Sequence, residues 1–333
     1  VRFFFNLVMP SRFFTKNIEL LEEDLAELYN SKNSKLVGQC REGLYCSIKY
    51  SIESTKKKEV IISPYTLFYV INMIIHAGGK PVFVDLKKDS LETTFLSIKE
   101  KICKDTACVV LTNLTGIHNE IEEIKFLKET GIFVIEDMAV SMGSRTKNNL
   151  DLELMGDIGI LSFQAMKNIQ CLNGGALIYS NKKFHSWIND KYKNIKEISK
   201  IFLIKRLLFI YFVNFFFEKK IFNFIFFQLI KIAYFKNYSL ILKFIRPDHN
   251  PYHKSDLPKY YFKKISEIQA KFLRIQLKNI FIDQDLRKKT ALVYKTKLRN
   301  IKEIRIIDES NFDYRNHLEF PILCENRDDL FFF

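Results

Sequence analysis

Apolar and polar positions along the chain follow two different rhythms. From about residue 35 to 180, short β-branched runs alternate with longer stretches of helical spacing, the pattern of α/β units around a largely parallel sheet. The predicted strands are Glu59–Ile62, Pro81–Val84, Ala107–Leu111, Phe133–Ile135, Ile158–Ser162 and Ala176–Tyr179. Helices are predicted over Leu67–Ala77, ended by Gly78-Gly79, and over Ile121–Thr130, ended by Gly131. Glycine at those ends supplies the flexible residue that a helix C-terminus prefers. A further helix-like stretch, Leu44–Ile52, follows the turn Gln39-Cys40-Arg41.

Residues 201–245 break this rhythm, being dominated by phenylalanine, isoleucine and leucine. The longest uncharged run, Leu207–Phe217, is too short to cross a bilayer before Glu218-Lys219-Lys220 interrupts it. The segment reads either as buried packing between domains or as an interfacial element with Lys205, Arg206, Lys219, Lys220 and Lys231 facing anionic headgroups. In the second reading, Leu207–Phe217 and Ile221–Ile230 form a helical hairpin in one leaflet. Beyond Pro247 the chain turns polar, and Tyr261–Arg299 reads as one or two amphipathic helices, followed by a strand-like Leu318–Leu323. These shifts predict a large domain over 1–185, a Phe-rich insert over 186–246 and a smaller C-terminal α+β domain over 247–333. The short apolar opening lacks a cleavage site. The closing Asp328-Asp329-Leu330-Phe331-Phe332-Phe333 stops inside a helical pattern, which suggests a truncated end.

Composition narrows the function classes. With 333 residues the chain is long enough for two domains, and 47% hydrophobic with 27% charged residues is a globular balance. A net charge of +14 invites a nucleic-acid reading. The lysines are spread along the whole chain, however, without a zinc-finger spacing, an RNA-recognition motif or a basic heptad region, so no nucleic-acid partner and no metal site are expected. The excess charge suits an anionic substrate or an anionic membrane surface. Six cysteines without C-x-x-C spacing read as free thiols in a reducing cytoplasm.

Three features carry candidate chemistry. Val134-Ile135-Glu136-Asp137 is a buried β-run ending in a carboxylate, which places Asp137 at the carboxyl end of a strand, where open α/β sheets bind ligands. A strand-end aspartate caps a helix as often. In Leu161-Ser162-Phe163-Gln164-Ala165-Met166-Lys167-Asn168 a strand ends at a hydroxyl and a lysine follows five residues later, although a single loop lysine is usually a solvated cation. Asn173-Gly174-Gly175 then forms a flexible turn that lets backbone approach the lysine loop. Together these suit pyridoxal 5'-phosphate (PLP) chemistry, which needs an amine, a carboxylate for the pyridine nitrogen and donors for a phosphate. The donors could come from Ser162 and from Gln39-Cys40-Arg41 ahead of a helix.

The same residues give the chain a resemblance to a known family. VIISPYTLFYVINMIIHAGGKPVFVDL, GIFVIEDMAVSMGSR and GDIGILSFQAMKNIQCLNGGALIYS resemble ordered motifs of the sugar aminotransferases often called DegT/StrS, within the fold-type-I PLP enzymes. Ser266–Ala270 and Phe320-Pro321 are similar to the family's C-terminal domain, so the resemblance spans nearly everything except residues 185–255. It implies a PLP-binding large domain with a mostly parallel sheet flanked by helices. It also implies that Lys167 forms the Schiff base, Asp137 holds the ring nitrogen and Ser162 a phosphate oxygen. Gln39-Cys40-Arg41 stands where the family usually has a phosphate cradle of Ser-Gly-Thr, with Cys40 and the guanidinium of Arg41 as the implied phosphate contacts. Leu67 replaces the aromatic that stacks on the cofactor ring, and Val140 replaces a polar residue near its other face. Phe262 and Lys264 stand where an Asn and an Arg are common. Sugar dehydrating relatives carry histidine at the position of Lys167, so the lysine favours transamination.

The function implied is a PLP-dependent transfer of an amino group from glutamate or glutamine to a nucleotide-linked keto-sugar, for surface polysaccharide biosynthesis, by a cytoplasmic homodimer. The altered cofactor walls motivate an alternative, a noncatalytic relative with a regulatory role. The Phe-rich insert motivates another, an aminotransferase peripheral at the inner face of the cytoplasmic membrane and acting on a lipid-linked sugar.

Overall fold

The computed structural model describes residues 16–87, 91, 93–116, 121–145, 152–216, 218, 221–236, 238, 256–257, 261–307 and 313–327. The apolar opening, Lys219, Lys220 and the closing residues 328–333 lie outside that set. Ser11–Glu197 together with Pro258–Phe333 makes one compact unit, and Ile198–Leu257 belongs to a second.

In the first unit, helix α1 (Asn17–Leu28) leads into β1 (Asn33–Val37), α2 (Cys40–Thr55), β2 (Glu59–Ile62), α3 (Phe68–His76), β3 (Lys80–Phe83), α4 (Phe95–Lys101) and β4 (Thr106–Thr112). Then come α5 (Ile121–Glu129), β5 (Phe133–Asp137), β6 (Ile158–Ser162), β7 (Gly175–Tyr179) and α6 (Lys182–Tyr192). The second unit contains α7 (Lys200–Phe216), a π-helical turn (Phe222–Phe226) and α8 (Phe227–Phe235). The chain returns to the first unit with α9 (Glu267–Leu277), α10 (Ile280–Leu298), β8 (Ile304–Ile306) and β9 (Ile322–Cys324).

Seven strands form one sheet in the order β1-β7-β6-β5-β4-β2-β3. Neighbours from β3 to β6 are parallel, whereas β7 runs antiparallel to both β6 and β1. The predicted strands all form, with ends displaced by a residue or two at most. The strand β1, which the sequence pattern did not predict, pairs with β7 along five residues. It is a short, half-polar segment, Asn-Ser-Lys-Leu-Val, so its apolar content only becomes legible when Leu36 meets Ala176 across the ladder. The helix expected at Leu44 begins at Cys40 instead, so Cys40 and Arg41 occupy its first turn and are not part of a turn before it. Tyr261–Arg299 resolves into α9 and α10, and the last strand starts at Ile322, later than Leu318.

The sheet's side-chain parity divides its two faces. Leu161, Ala176 and Ile178 project into a core with Leu21, Leu25, Ala270 and Leu273 of α1 and α9. On that face, Val109, Leu111 and Val134 meet Ile98 of α4 and Ile124 and Leu127 of α5. The opposite face is covered by α2, whose Gly43 lies so close that an added Cβ would stand 3.1 Å from Leu177 and 3.4 Å from Ile160. Helix α9 is fixed by a capping box in which Ser266 accepts from Gln269 N–H and the Gln269 side chain accepts from Ser266 N–H. Such a box typically contributes about 1 kcal/mol to a helix start. An ion pair of 2.6 Å between Arg274 and Asp24 ties α9 to α1.

Candidate active site

Parity also decides which carboxylate of the Glu136-Asp137 pair can do chemistry. Successive residues of a strand point to opposite faces. Glu136 is buried and accepts from the N–H groups of Met155 and Gly156, at 2.9 and 2.6 Å. It is a structural clamp, and Asp157 is another, accepting from Val134 N–H at 2.8 Å. Asp137 projects to the α2 face at the C-terminal end of β5, beside its register partner Thr112 of β4. Because Asp137 pairs in register with Ile160, Ser162 two residues on shares that face.

The carboxylate of Asp137 is buried and accepts from Ala139 N–H at 3.1 Å. Burial raises its pKa, while that hydrogen bond and the positive charge of Lys167 pull it back down. Lys167 is half-buried, in the loop between β6 and β7. The thiol of Cys40 lies within electrostatic reach of the same groups. Burial pushes its pKa up and Asp137 raises it further, against Lys167, Arg41 and a hydrogen bond with the Ser162 side chain. The structure thus brings Cys40, Arg41, Asp137, Ser162 and Lys167 together, from three separate stretches of chain.

Helix α2 aims its N-terminus into this cluster. Its N-cap, Gln39, makes no side-chain cap, while Glu42 of the first turn reaches back to Gly38 N–H at 2.9 Å. The close approach depends on Gly175, where a Cβ would stand 2.7 Å from both Cys40 N and Leu161 O. The preceding Gly174, at φ +119, sits in a conformation that L side chains rarely adopt.

Arg41 takes a different course from the anion donor expected of it. Its guanidinium lies 3.9 Å from the ring centre of Tyr69 and donates to the Tyr261 hydroxyl at 3.0 Å. Among the described residues it makes no ion pair, so its charge is held by aromatic faces and a neutral acceptor. Leu67 stands at the N-cap of α3 and is 58% exposed. Val140 is half-buried, and its carbonyl accepts from the Asn316 side chain at 2.7 Å. Neither offers a polar group to the cluster.

Several supporting residues carry no motif and were not anticipated. The Asn168 side chain donates to Met142 O, joining the lysine loop to the loop after Asp137. Asn316 donates to Val140 O and, at 3.0 Å, to Met142 O, and Arg315 donates to Thr115 O at 3.0 Å from the loop after β4. Gln269 and Gln276 of α9 hold the backbone of Cys171 and Gln170. Polar side chains seven residues apart on an otherwise apolar helix face were the available signal.

The donor set fits PLP on grounds of chemistry alone: a lysine amine, a strand-end carboxylate facing it, and an anion site made of a helix N-terminus and a serine hydroxyl. Thr112 Oγ1, buried and without a hydrogen-bond partner among the described residues, adds a polar atom beside Asp137.

Comparison with known proteins agrees with this geometry. A profile of the DegT/DnrJ/EryC1/StrS aminotransferase family matches residues 6–193. GDP-perosamine synthase of Vibrio cholerae is 28% identical over 164 residues, 49% of this chain and 44% of its own. The matches reach less than half the length of the curated relatives. Among solved structures, Helicobacter pylori PseC, an aminotransferase of pseudoaminic acid biosynthesis, superimposes with a TM-score of 0.69 at 19% identity, covering 94% of this chain and 71% of that one. The Escherichia coli GDP-4-keto-6-deoxy-D-mannose-3-dehydratase with bound hydrated PLP gives 0.65 at 17%, covering 93% and 71%. At such identities the structures establish the fold, the type-I PLP aminotransferase architecture with its mostly parallel seven-stranded sheet. The profile match spans more than half of the chain and includes every element that carries the cluster, so the chain belongs to the DegT/DnrJ/EryC1/StrS aminotransferase family.

Proposed function

We propose that the cluster binds PLP and that the protein transfers an amino group from glutamate or glutamine to a keto-sugar carried on a nucleotide, for surface polysaccharide synthesis. The observation that carries this reading is the placement of Lys167 and Asp137 within electrostatic reach of each other, at the mouth of an uncapped helix N-terminus. PLP, when bound, supplies an electron sink for the carbon that loses its proton. In this reading the Lys167 amine would hold the cofactor and, when free, would move a proton as the catalytic base. Asp137 keeps the ring nitrogen protonated, and its burial among backbone dipoles strengthens that interaction. Cys40 N–H, the first turn of α2 and Ser162 hold the phosphate. Arg41, stacked on Tyr69, adds positive charge near it without a direct contact.

A lysine at position 167 favours transamination over dehydration, because a histidine cannot form the covalent link. The second half of the site comes from a second copy in this reading, which the surroundings of the lysine favour: Met166, the residue before it, is 86% exposed. An apolar side chain this open at the edge of a charged cluster suits burial against a partner. Sedimentation of an active monomer at working concentration would reject the dimer.

The deciding experiment is an absorbance spectrum of the purified chain with PLP. A visible band that disappears on adding glutamate indicates a working half-reaction. A chain that binds no PLP would favour the alternative that Cys40, Leu67 and Val140 motivate, a fold retained without turnover.

A further inference from the structure

The second unit presents a surface that the chemistry above does not use. Helix α7 is apolar on nearly every side. Leu203 and Leu207 are buried, while Leu208, Phe212 and Phe215, spaced four and three residues apart, form an exposed stripe. Phe224 is 81% exposed in the π-helical turn, and Phe227, Leu229 and Ile232 are exposed along α8. Each of these two successive helical segments leaves several large aromatic and aliphatic side chains open to water, a clustering that marks an interaction surface.

Charge selects the occupant. Between residues 200 and 236 the sequence has seven lysines and arginines and a single acidic residue, Glu218. Lys200 and Lys205 are exposed on α7, Lys231 on α8 and Lys236 just after its end. A second copy would bring the same positive charge to the same face, and the two would repel. A protein partner would have to supply matching acidic groups around a broad, featureless apolar centre. An anionic lipid surface supplies both at once, an apolar layer under a sheet of negative headgroups. None of the described helices is long and apolar enough to cross a membrane, so the fit is to lying in the interface.

We propose that the unit built on α7 and α8 docks the protein on an anionic lipid surface, with Phe212, Phe215 and Phe224 in the acyl boundary and Lys205 and Lys231 among the headgroups. Docking of this kind combines a modest apolar term with several charge contacts, each reversible.

The test is flotation of the purified full chain with vesicles of phosphatidylcholine alone and of phosphatidylcholine mixed with phosphatidylglycerol, at low and physiological salt. The chain is expected to float with the mixed vesicles, less so at higher salt, and to stay behind with the neutral ones. Lys205→Glu with Lys231→Glu leaves the apolar surface and the helices intact and should lower partitioning roughly tenfold or more. Phe212→Asp with Phe224→Asp should abolish it, with unchanged circular dichroism. Absence of flotation with mixed vesicles overturns the proposal, as does equal flotation with both kinds. Sedimentation in which the phenylalanine variants dissociate an oligomer of a chain that does not float would assign the patch to a second copy and overturn it too.

Discussion

Gln276 holds the backbone of Gln170 at both of its polar groups, accepting from its N–H at 3.0 Å and donating to its carbonyl at 2.8 Å. One heptad earlier on α9, the buried Gln269 donates to Cys171 O at 3.0 Å and, more distantly, to Asn173 O. The loop that carries Lys167 is therefore anchored, three and four residues downstream, to a helix from the far end of the sequence. Its other side is tied by Asn168 to Met142.

Replacing Gln269 by leucine leaves the Cys171 carbonyl short of a donor, while the Cys171 thiol still donates to Asn173 O, and removes half of the α9 capping box. The expected destabilisation is about 2–3 kcal/mol, the range for orphaned buried polar groups plus a lost cap. Denaturant unfolding measures it. If the loop is also the cofactor platform, PLP should dissociate faster from this variant than from one destabilised equally at a distant core position, such as Ile124→Ala.

Lys167→Ala should leave the fold unchanged, because the side chain is only half-buried and, among the described residues, no hydrogen bond of its amine holds another element. It should abolish both the visible PLP band and transamination. Lys167→Arg should fail likewise, since a guanidinium stays protonated and is a poor nucleophile. Retention of the band with full turnover in either variant would remove Lys167 from its assigned role.

For Asp137→Asn the fold should again survive, as the amide can still accept from Ala139 N–H. Proton abstraction should slow by roughly a hundredfold, corresponding to about 3 kcal/mol for one lost electrostatic contact in a closed site. Single-turnover rates with glutamate check this, and near wild-type rates would exclude Asp137 as the ring-nitrogen partner.

Much of this arrangement is legible in the sequence because its parts are local. The strands of the parallel core are continuous apolar runs, and Asp137, Ser162 and Lys167 each sit at a fixed offset from the end of one. What escaped was set by distant pairing. The segment Asn33–Val37 is too polar to announce itself and becomes a strand only by lining up with β7. Cys40 and Arg41 read as a turn because the residues ahead of Leu44 have little apolar periodicity. In the fold, Glu42 satisfies Gly38 N–H, and Gly175 makes room, so the helix starts earlier. Arg41 offered a guanidinium at a plausible phosphate position, but nothing near it in sequence points to Tyr69 and Tyr261. The anchors Gln269, Gln276 and Asn316 act across 96 to 176 positions, so the heptad spacing of the two glutamines marks a polar role without revealing its partners.

Glu42 gives the fold a pH dependence of definite sign. Burial pushes its carboxyl up to about 8 from an ordinary value of 4.5, despite hydrogen bonds from backbone N–H groups at the start of α2. A group whose folded pKa is raised binds more protons in the folded state, so its contribution is complete below the unfolded pKa and is lost as pH rises through the folded one. Stability should therefore fall between about pH 4.5 and pH 8, by more than about 1 kcal/mol. Glu42→Gln, which keeps an acceptor for Gly38 N–H without a charge, should flatten that slope. Unfolding midpoints across this window decide it, and an equal slope in both proteins would assign the titration elsewhere.

Gly175 separates a steric role from a conformational one. A Cβ there would stand 2.7 Å from Cys40 N and Leu161 O and 2.9 Å from Cys40 Cα, all backbone atoms that cannot rotate away. Gly175→Ala must therefore push the start of α2 off the end of β6, or spread β6 from β7. Gly78 provides the control. Its φ is +89, but nothing lies within 4 Å of its added Cβ, so Gly78→Ala meets conformational strain alone, about 1 kcal/mol. Overpacking against fixed backbone costs more, typically 1–3 kcal/mol on top of any strain. The two variants should differ most in function. Displacing the N–H groups of Cys40 and Arg41 from Ser162 weakens an anion site there, so Gly175→Ala should raise the dissociation constants for PLP and for inorganic phosphate together, whereas Gly78→Ala should change neither. Equal phosphate affinity in wild type and Gly175→Ala, with the stability loss present, would mean that the N-terminus of α2 does not bind the anion.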